Sequence, residues 1–175
     1  MILIGILVLS KTSSSRRMEF TEIYKQYGDK IYRVCLGFVY NSELAKDLTQ
    51  ETFITVWQNL ESFRQDAGIG TWIYRIATNK CLRLIEKEKK RTKISFPFEL
   101  EDSFTEEKQE EKLVFLRNCI VELPEIDRII ITLFMEDIAQ EKIAKIIGLT
   151  HANVRVKVHR IKERLLKKFK KNGKL

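Results

Sequence analysis

The chain has 175 residues, with 32 Lys and Arg against 24 Asp and Glu for a net charge of +8, and its 44% hydrophobic fraction leaves enough apolar material for real cores. Only 7 glycines and 2 prolines, with long stretches of apolar residues three and four apart, point to a mainly helical protein and leave nothing that reads as a strand. Cys35, Cys81 and Cys119 are far apart and each set in an apolar helical pattern, so they read as buried thiols in a reducing cytoplasm rather than as a disulfide frame or zinc site.

Residues 1–17 begin with an apolar run, Ile2 to Leu9, that is too short to cross a bilayer and lacks the basic leader and cleavage site of a signal peptide. They are expected to lie outside the fold, as an extension upstream of a true start at Met18 would. From Met18 to Tyr40 the positions Phe20, Ile23, Tyr24, Tyr27, Ile31, Val34, Cys35 and Phe38 recur at helical spacing, interrupted near Gly28-Asp29. This predicts one helix or a helix pair with a single core face.

Asn41 or Ser42 can cap the next helix, with Glu43 at its positive end. Leu44, Leu48, Ile54 and Val56 are its candidates for packing inward. Asp47, Gln50 and Glu51 make an acidic patch in an otherwise basic protein, and Phe53 and Trp57 are large rings that can reach its edge. A compact acidic patch edged by aromatics suits protein docking; the plainer reading is solvated acids beside core rings.

A loop comes next, Glu61 to Gly70, carrying Phe63, Arg64 and Asp66, and then a helix beginning TWIYRIATNK, for which Thr71 is a plausible N-cap. Trp72, Tyr74 and Arg75 open it, Ile76, Ala77 and Leu84 continue a core face, and Asn79, Lys80 and Arg83 add donors. Lys80 to Lys93 holds seven cations against Glu86 and Glu88. Rings beside cations suit single-stranded nucleic acid, the rings as stacking platforms and the cations along phosphates. Core packing of Trp72 and Ile76 with a solvated basic end is the equally simple alternative.

Residues 94–111 change character. From Thr92 to Lys112 seven acids face three lysines and Pro97 interrupts, which predicts an acidic linker that turns helical again towards its C-terminal end. Beyond it, two helices broken at Leu123-Pro124 supply the core against which the C-terminal helices can pack.

The last stretch, Gln140 to Lys171, predicts a helix-turn-helix. Ile143, Ala144, Ile146 and Ile147 lie on a first helix that stops at Gly148, and Thr150 caps a second starting near His151. Ala144 is small enough for a close crossing, Gly148 can take the positive φ of a tight turn, and Val154 can seal the angle. On a helical wheel Val154, Val158, Ile161, Leu165 and Phe169 share one face, while Asn153, Arg155, Val156, His159 and Arg160 lie on or beside the opposite one. Ten Lys and Arg after Gly148, Lys157 among them, against the single acid Glu163 predict a phosphate grip. His151 and His159 have no partner at ligand spacing, so no metal or cofactor is expected.

In this order, DLTQETFITVW at Asp47 to Trp57, TWIYRIATNK at Thr71 to Lys80 and IAKIIGLTHANVRVKVHRIKERL at Ile143 to Leu165 resemble the extracytoplasmic-function (ECF) class of bacterial RNA polymerase sigma factors. The resemblance runs from about Met18 to Phe169. It implies an all-α protein of two small helical domains, 18–93 (region 2-like) and 112–175 (region 4-like), joined by the acidic linker, acting in the cytoplasm on core RNA polymerase and promoter DNA, both duplex and melted. It matches Asp47, Gln50, Glu51, Phe53 and Trp57 to the helix that docks on the clamp helices of polymerase. Phe63, Arg64 and Asp66 match the loop that receives a flipped base of the minus-ten element, and Asn79 lies on the adjoining helix with Trp72, Lys80 and Arg83. Arg155, Val156, His159 and Arg160 match positions that meet the minus-thirty-five element, with Asn153 and Lys157 beside them. A separate anti-sigma factor is a typical partner of the class. Val156 replaces a small polar residue often found at its position, so no promoter sequence is carried over.

A stand-alone helix-turn-helix repressor or activator is the alternative of another class, but it has no need for single-strand contacts. An enzyme is not expected, because no nucleophile with its base, metal cluster or Gly-rich phosphate loop is present to carry chemistry, and no small-molecule substrate is implied.

Overall fold

In the computed structural model of the chain, residues 14–63, 68–91 and 107–172 are described. They form seven α-helices: α1 (Ser14–Val39), α2 (Ser42–Asn59), α3 (Ile69–Arg91), α4 (Glu107–Val121), α5 (Glu125–Met135), α6 (Gln140–Ile147) and α7 (His151–Lys171), with one 3-10 turn at Leu60–Ser62. The chain divides between 98 and 99 into two compact units, α1 to α3 and α4 to α7. Residues 1–13 and most of the acidic linker lie outside the described residues, whereas α1 begins four residues ahead of Met18, inside the stretch expected to precede the fold.

The first unit is a three-helix core. α1 runs unbroken through Gly28-Asp29, so it is one helix and not a pair. Its buried positions Phe20, Ile23, Ile31, Val34, Cys35, Phe38 and Val39 keep the predicted face, although Tyr24 is 37% exposed at its margin. Asn41 caps α2 by accepting from the Leu44 amide at 2.9 Å.

The inward face of α2 differs from the expectation. It is Ala45, Leu48, Thr49, Thr52, Phe53, Val56 and Trp57, while Leu44 and Ile54 are only half-buried. Two threonines make this possible. The Thr49 and Thr52 hydroxyls donate at 2.7 Å to the carbonyls of Ala45 and Leu48, one turn back, so each enters the core with its polar group satisfied. The face therefore rotates to include both large rings. Phe53 is fully buried, edge-on to Tyr24 at 4.8 Å, and Trp57 meets Phe20 at 5.1 Å.

α3 starts at Ile69, two residues before the expected cap at Thr71, with the Trp72 amide donating to the Gly68 carbonyl. Its core positions are Ile73, Tyr74, Ala77, Thr78, Cys81 and Ile85, and the expected Ile76 and Leu84 are half-buried. A Cβ at Gly70 would lie 2.8 Å from the outer end of the Tyr27 side chain, so a larger residue there would have to displace that ring. The start of α3 is thereby set directly against α1.

In the second unit Pro124 stands just ahead of α5 rather than inside its first turn. Ile129, Ile130, Ile131 and Leu133 of α5 form the centre with Ile143 and Ile146 of α6 and Val154, Val158, Ile161 and Leu165 of α7. Phe115 of α4 packs edge-on against Phe169 at 4.9 Å and holds the far end of α7. Among the described residues no helix is long and apolar enough to cross a membrane.

Candidate functional surfaces

The outward stripe of α2 is set by its inward one. With Phe53 and Trp57 inside, Asp47, Glu51 and Gln58 are exposed and Gln50 and Ile54 half-buried along the opposite face. The acidic patch is thus a surface, but the two rings expected to edge it are its foundation, 0% and 9% exposed, and do not present themselves to a partner. The signal that could have placed them was the run of positions 45, 48, 49, 52, 53, 56 and 57, once the threonines are allowed to be interior.

Beside it lies the exposed side of α3. Phe63, directly after the 3-10 turn, stacks on Trp72 with ring centroids 4.9 Å apart and planes 29° apart. Arg64 and Asp66 lie outside the described residues. From Trp72 the same helical face continues through Arg75, Asn79 and Arg83, all three exposed. Arg75 was not among the expected contact residues, although its four-residue spacing from Asn79 could have suggested it. The face therefore offers a planar aromatic platform followed by a column of donors and cations, which suits an unpaired strand.

Lys80 stands between the two surfaces. It lies on α3 at the side of the donor column, and its Nζ is 3.3 Å from Oε2 of Glu51 on α2. One residue expected at polymerase and one expected at DNA are therefore paired with each other.

The third surface is the helix-turn-helix. Gly148 takes φ +74°, its amide and that of Leu149 both donate to the Ala144 carbonyl at 2.9 and 3.0 Å, and the three-residue turn closes as expected. Thr150 caps α7 by accepting from the Asn153 amide at 3.2 Å. Val154 is fully buried at the elbow. Asn153, Arg155, Val156, His159 and Arg160 are exposed together on the outer side of the first turns of α7.

Lys157 departs from that set. It is half-buried, its Nζ 2.7 Å from Asp127 of α5, so it braces α7 against its own unit. Lys162 likewise lies 4.5 Å over the Phe134 ring, and Lys168 pairs with Glu122. Three of the ten cations counted towards a phosphate grip are thus turned to neighbouring helices. Charge alone could not reveal this, because Asp127, Phe134 and Glu122 lie 28 to 46 residues away in sequence.

Two family models match the chain: Sigma-70 region 2 over residues 23–91 and Sigma-70, region 4 over residues 116–165. The first runs from within α1 to the end of α3, and the second from within α4 into α7. A curated relative is the ECF RNA polymerase sigma factor SigW of Bacillus subtilis (strain 168), 29% identical over 166 residues, which cover 86% of this chain and 89% of that one. Among solved structures, CnrH in complex with the cytosolic domain of CnrY matches with a TM-score of 0.69 at 19% identity, over 88% of this chain and 89% of that one. RpoE in complex with the anti-sigma factor NepR, from Bartonella quintana, matches with a TM-score of 0.69 at 18% identity, over 87% of this chain and 97% of that one. At those identities the solved structures bear on the fold alone.

Proposed function

The chain belongs to the ECF class of RNA polymerase sigma factors, and from that premise we propose how its surfaces divide the work of binding core polymerase, directing it to a two-part promoter and helping to melt the DNA. Residues 18–93 act as the region 2-like domain, 112–175 as the region 4-like domain and 94–111 as the linker, while 1–17 is an extension whose last four residues already belong to α1. Asp47, Gln50 and Glu51 on α2 meet core polymerase, with Phe53 and Trp57 holding that helix in place from beneath. Phe63, Arg64, Asp66, Trp72, Asn79, Lys80 and Arg83 meet the minus-ten element. Asn153, Arg155, Val156, His159 and Arg160 meet the minus-thirty-five duplex, with Lys157 as their brace.

The observation that carries this reading is the pairing of an acidic face with an aromatic and cationic one in the same small unit, joined by the Lys80–Glu51 contact. A docking face fixes the unit on polymerase, and the adjoining ring platform is then delivered to the DNA. Unstacking a base costs a few kcal/mol, and capture on rings and donors offsets that cost without ATP or metal. The helix-turn-helix anchors the complex upstream through phosphate and base contacts that a salt titration would reveal. The protein acts in the cytoplasm, has no catalytic chemistry of its own, and has an anti-sigma factor as an expected further partner; the NepR complex of a protein with the same fold supports that last point. A stand-alone repressor is not favoured, because residues 23–91, which hold α2, α3 and most of α1, match Sigma-70 region 2.

Run-off transcription with purified core polymerase on a pool of promoters tests the proposal. Start-specific transcripts that depend on the chain are expected. Duplex binding without any stimulated start would overturn it in favour of the repressor.

A further inference from the structure

Promoter recognition makes no use of thiols, yet the first unit brings two together in its core. Cys35 on α1 and Cys81 on α3 are 0% and 1% exposed, and the Cys81 thiol donates to the Cys35 sulfur across 3.9 Å. They are 46 residues apart in the chain. A single buried cysteine is an ordinary small apolar residue. Two in contact, on different helices, are also a dithiol.

We propose that Cys35 and Cys81 form an oxidation site, closing under a peroxide-class oxidant to an intramolecular disulfide that ties α1 to α3. A disulfide needs its sulfurs about 2.05 Å apart, so the pair must approach by roughly 1.9 Å. The hydrogen bond also sets the roles. By receiving the Cys81 thiol, Cys35 is held below the usual thiol range despite its burial, whereas donation and burial together push Cys81 well above it. Cys35 is therefore the thiol that ionises first and attacks.

The step balances with hydrogen peroxide as oxidant. The Cys35 thiolate attacks one peroxide oxygen, the O–O bond breaks, and hydroxide leaves to become water with the proton that Cys35 had lost. The resulting sulfenic acid is attacked by the Cys81 sulfur, the S–O bond breaks, and the departing hydroxide takes the Cys81 proton as a second water. The two sulfurs lose two electrons in all and one peroxide gains them. Peroxide is scarcely larger than water, and local opening of the helix pair admits it. Asn79 and Lys80 immediately precede Cys81 on α3, so drawing Cys81 towards α1 shifts the turn that carries them.

The site itself is independent of the promoter reading; only its effect on transcription rests on that reading. The reduced full-length chain is treated with hydrogen peroxide, its remaining thiols are alkylated under denaturing conditions, and its peptides are read by mass spectrometry. The expected product is a monomer with the Cys35 and Cys81 peptides linked, short of two hydrogens, reversed by dithiothreitol and missing in Cys35→Ala and Cys81→Ala, while Cys119 still alkylates. Cys119, whose thiol burial pushes up, is the internal control. Both thiols still alkylating when Cys119 is already oxidised, or links only between chains, would overturn the site, and the wild-type measurement decides this even if a variant fails to fold. With core polymerase, the oxidised chain should yield severalfold less run-off transcript, restored by dithiothreitol. A linked chain that transcribes at full yield overturns the coupling to α3. A reduced chain that never transcribes counts against the promoter reading and leaves the site standing.

Discussion

Phe53 was expected at the edge of a docking patch and is found inside the fold, and its truncation separates the two roles. The ring is fully buried, edge-on to Tyr24 at 4.8 Å and to Phe20 at 6.3 Å. Phe53→Ala should cost about 3–5 kcal/mol, the lost burial and the cavity together. The edge-to-face contacts, each worth ~0.5–1.5 kcal/mol within that total, place the cost towards the upper end. A small domain is stable by only about 5–15 kcal/mol, so much of the margin of the first unit disappears. At ~4–8 °C per kcal/mol for a unit of this size, its melting transition should fall by roughly 12–40 °C. Thermal and urea denaturation of the full chain, followed by far-ultraviolet circular dichroism, measures this. The comparison is the pair Gln50→Ala with Glu51→Ala on the outer side of the same helix. Those changes should stay within about 0.5 kcal/mol of wild type each and reduce co-purification with core polymerase. A Phe53→Ala chain that melts near the wild-type temperature but loses polymerase association would refute the burial argument.

Three further substitutions test the other surfaces. Arg155→Ala should weaken binding to duplex minus-thirty-five DNA by ~1–3 kcal/mol, whereas Lys157→Met, which removes the contact to Asp127, should act mainly on the stability of the second unit; fluorescence anisotropy on duplex DNA beside a melting curve separates them. Gly148→Ala should cost about 1–2 kcal/mol of stability from the left-handed backbone alone, because an added Cβ meets nothing within 4 Å. A loss much larger than that in urea denaturation would reject the open-space argument. Asn79→Ala should spare polymerase association and reduce promoter opening, and permanganate footprinting that shows normal melting would remove Asn79 from the minus-ten face.

The elements most legible in the sequence were those with local causes. The turn at Gly148, the Thr150 cap and the phase of α7 depend on residues within a few positions of one another, and all three stand where spacing put them. The Asn41 cap is of the same kind. α2 was harder because threonine is ambiguous. Thr49 and Thr52 read as polar until their hydroxyls find the carbonyls one turn back, and moving them inward turns the helix enough to bury Phe53 and Trp57. Gly28-Asp29 left one helix or a pair open, and a helix held on both sides by Phe20, Ile23, Ile31 and Val34 continues through it.

Residue order is thus enough to establish an all-α chain, its two-part organisation, its helix-turn-helix and the excess of positive charge along α7, since periodicity, caps and net charge belong to the chain read end to end. Packing alone sets which side chains face outward from α2, which lysines of α7 turn to Asp127, Phe134 and Glu122, that Lys80 meets Glu51, and that Cys35 meets Cys81. Each of those contacts joins residues about thirty or more positions apart, and such pairs are fixed by how helices cross rather than by any local preference.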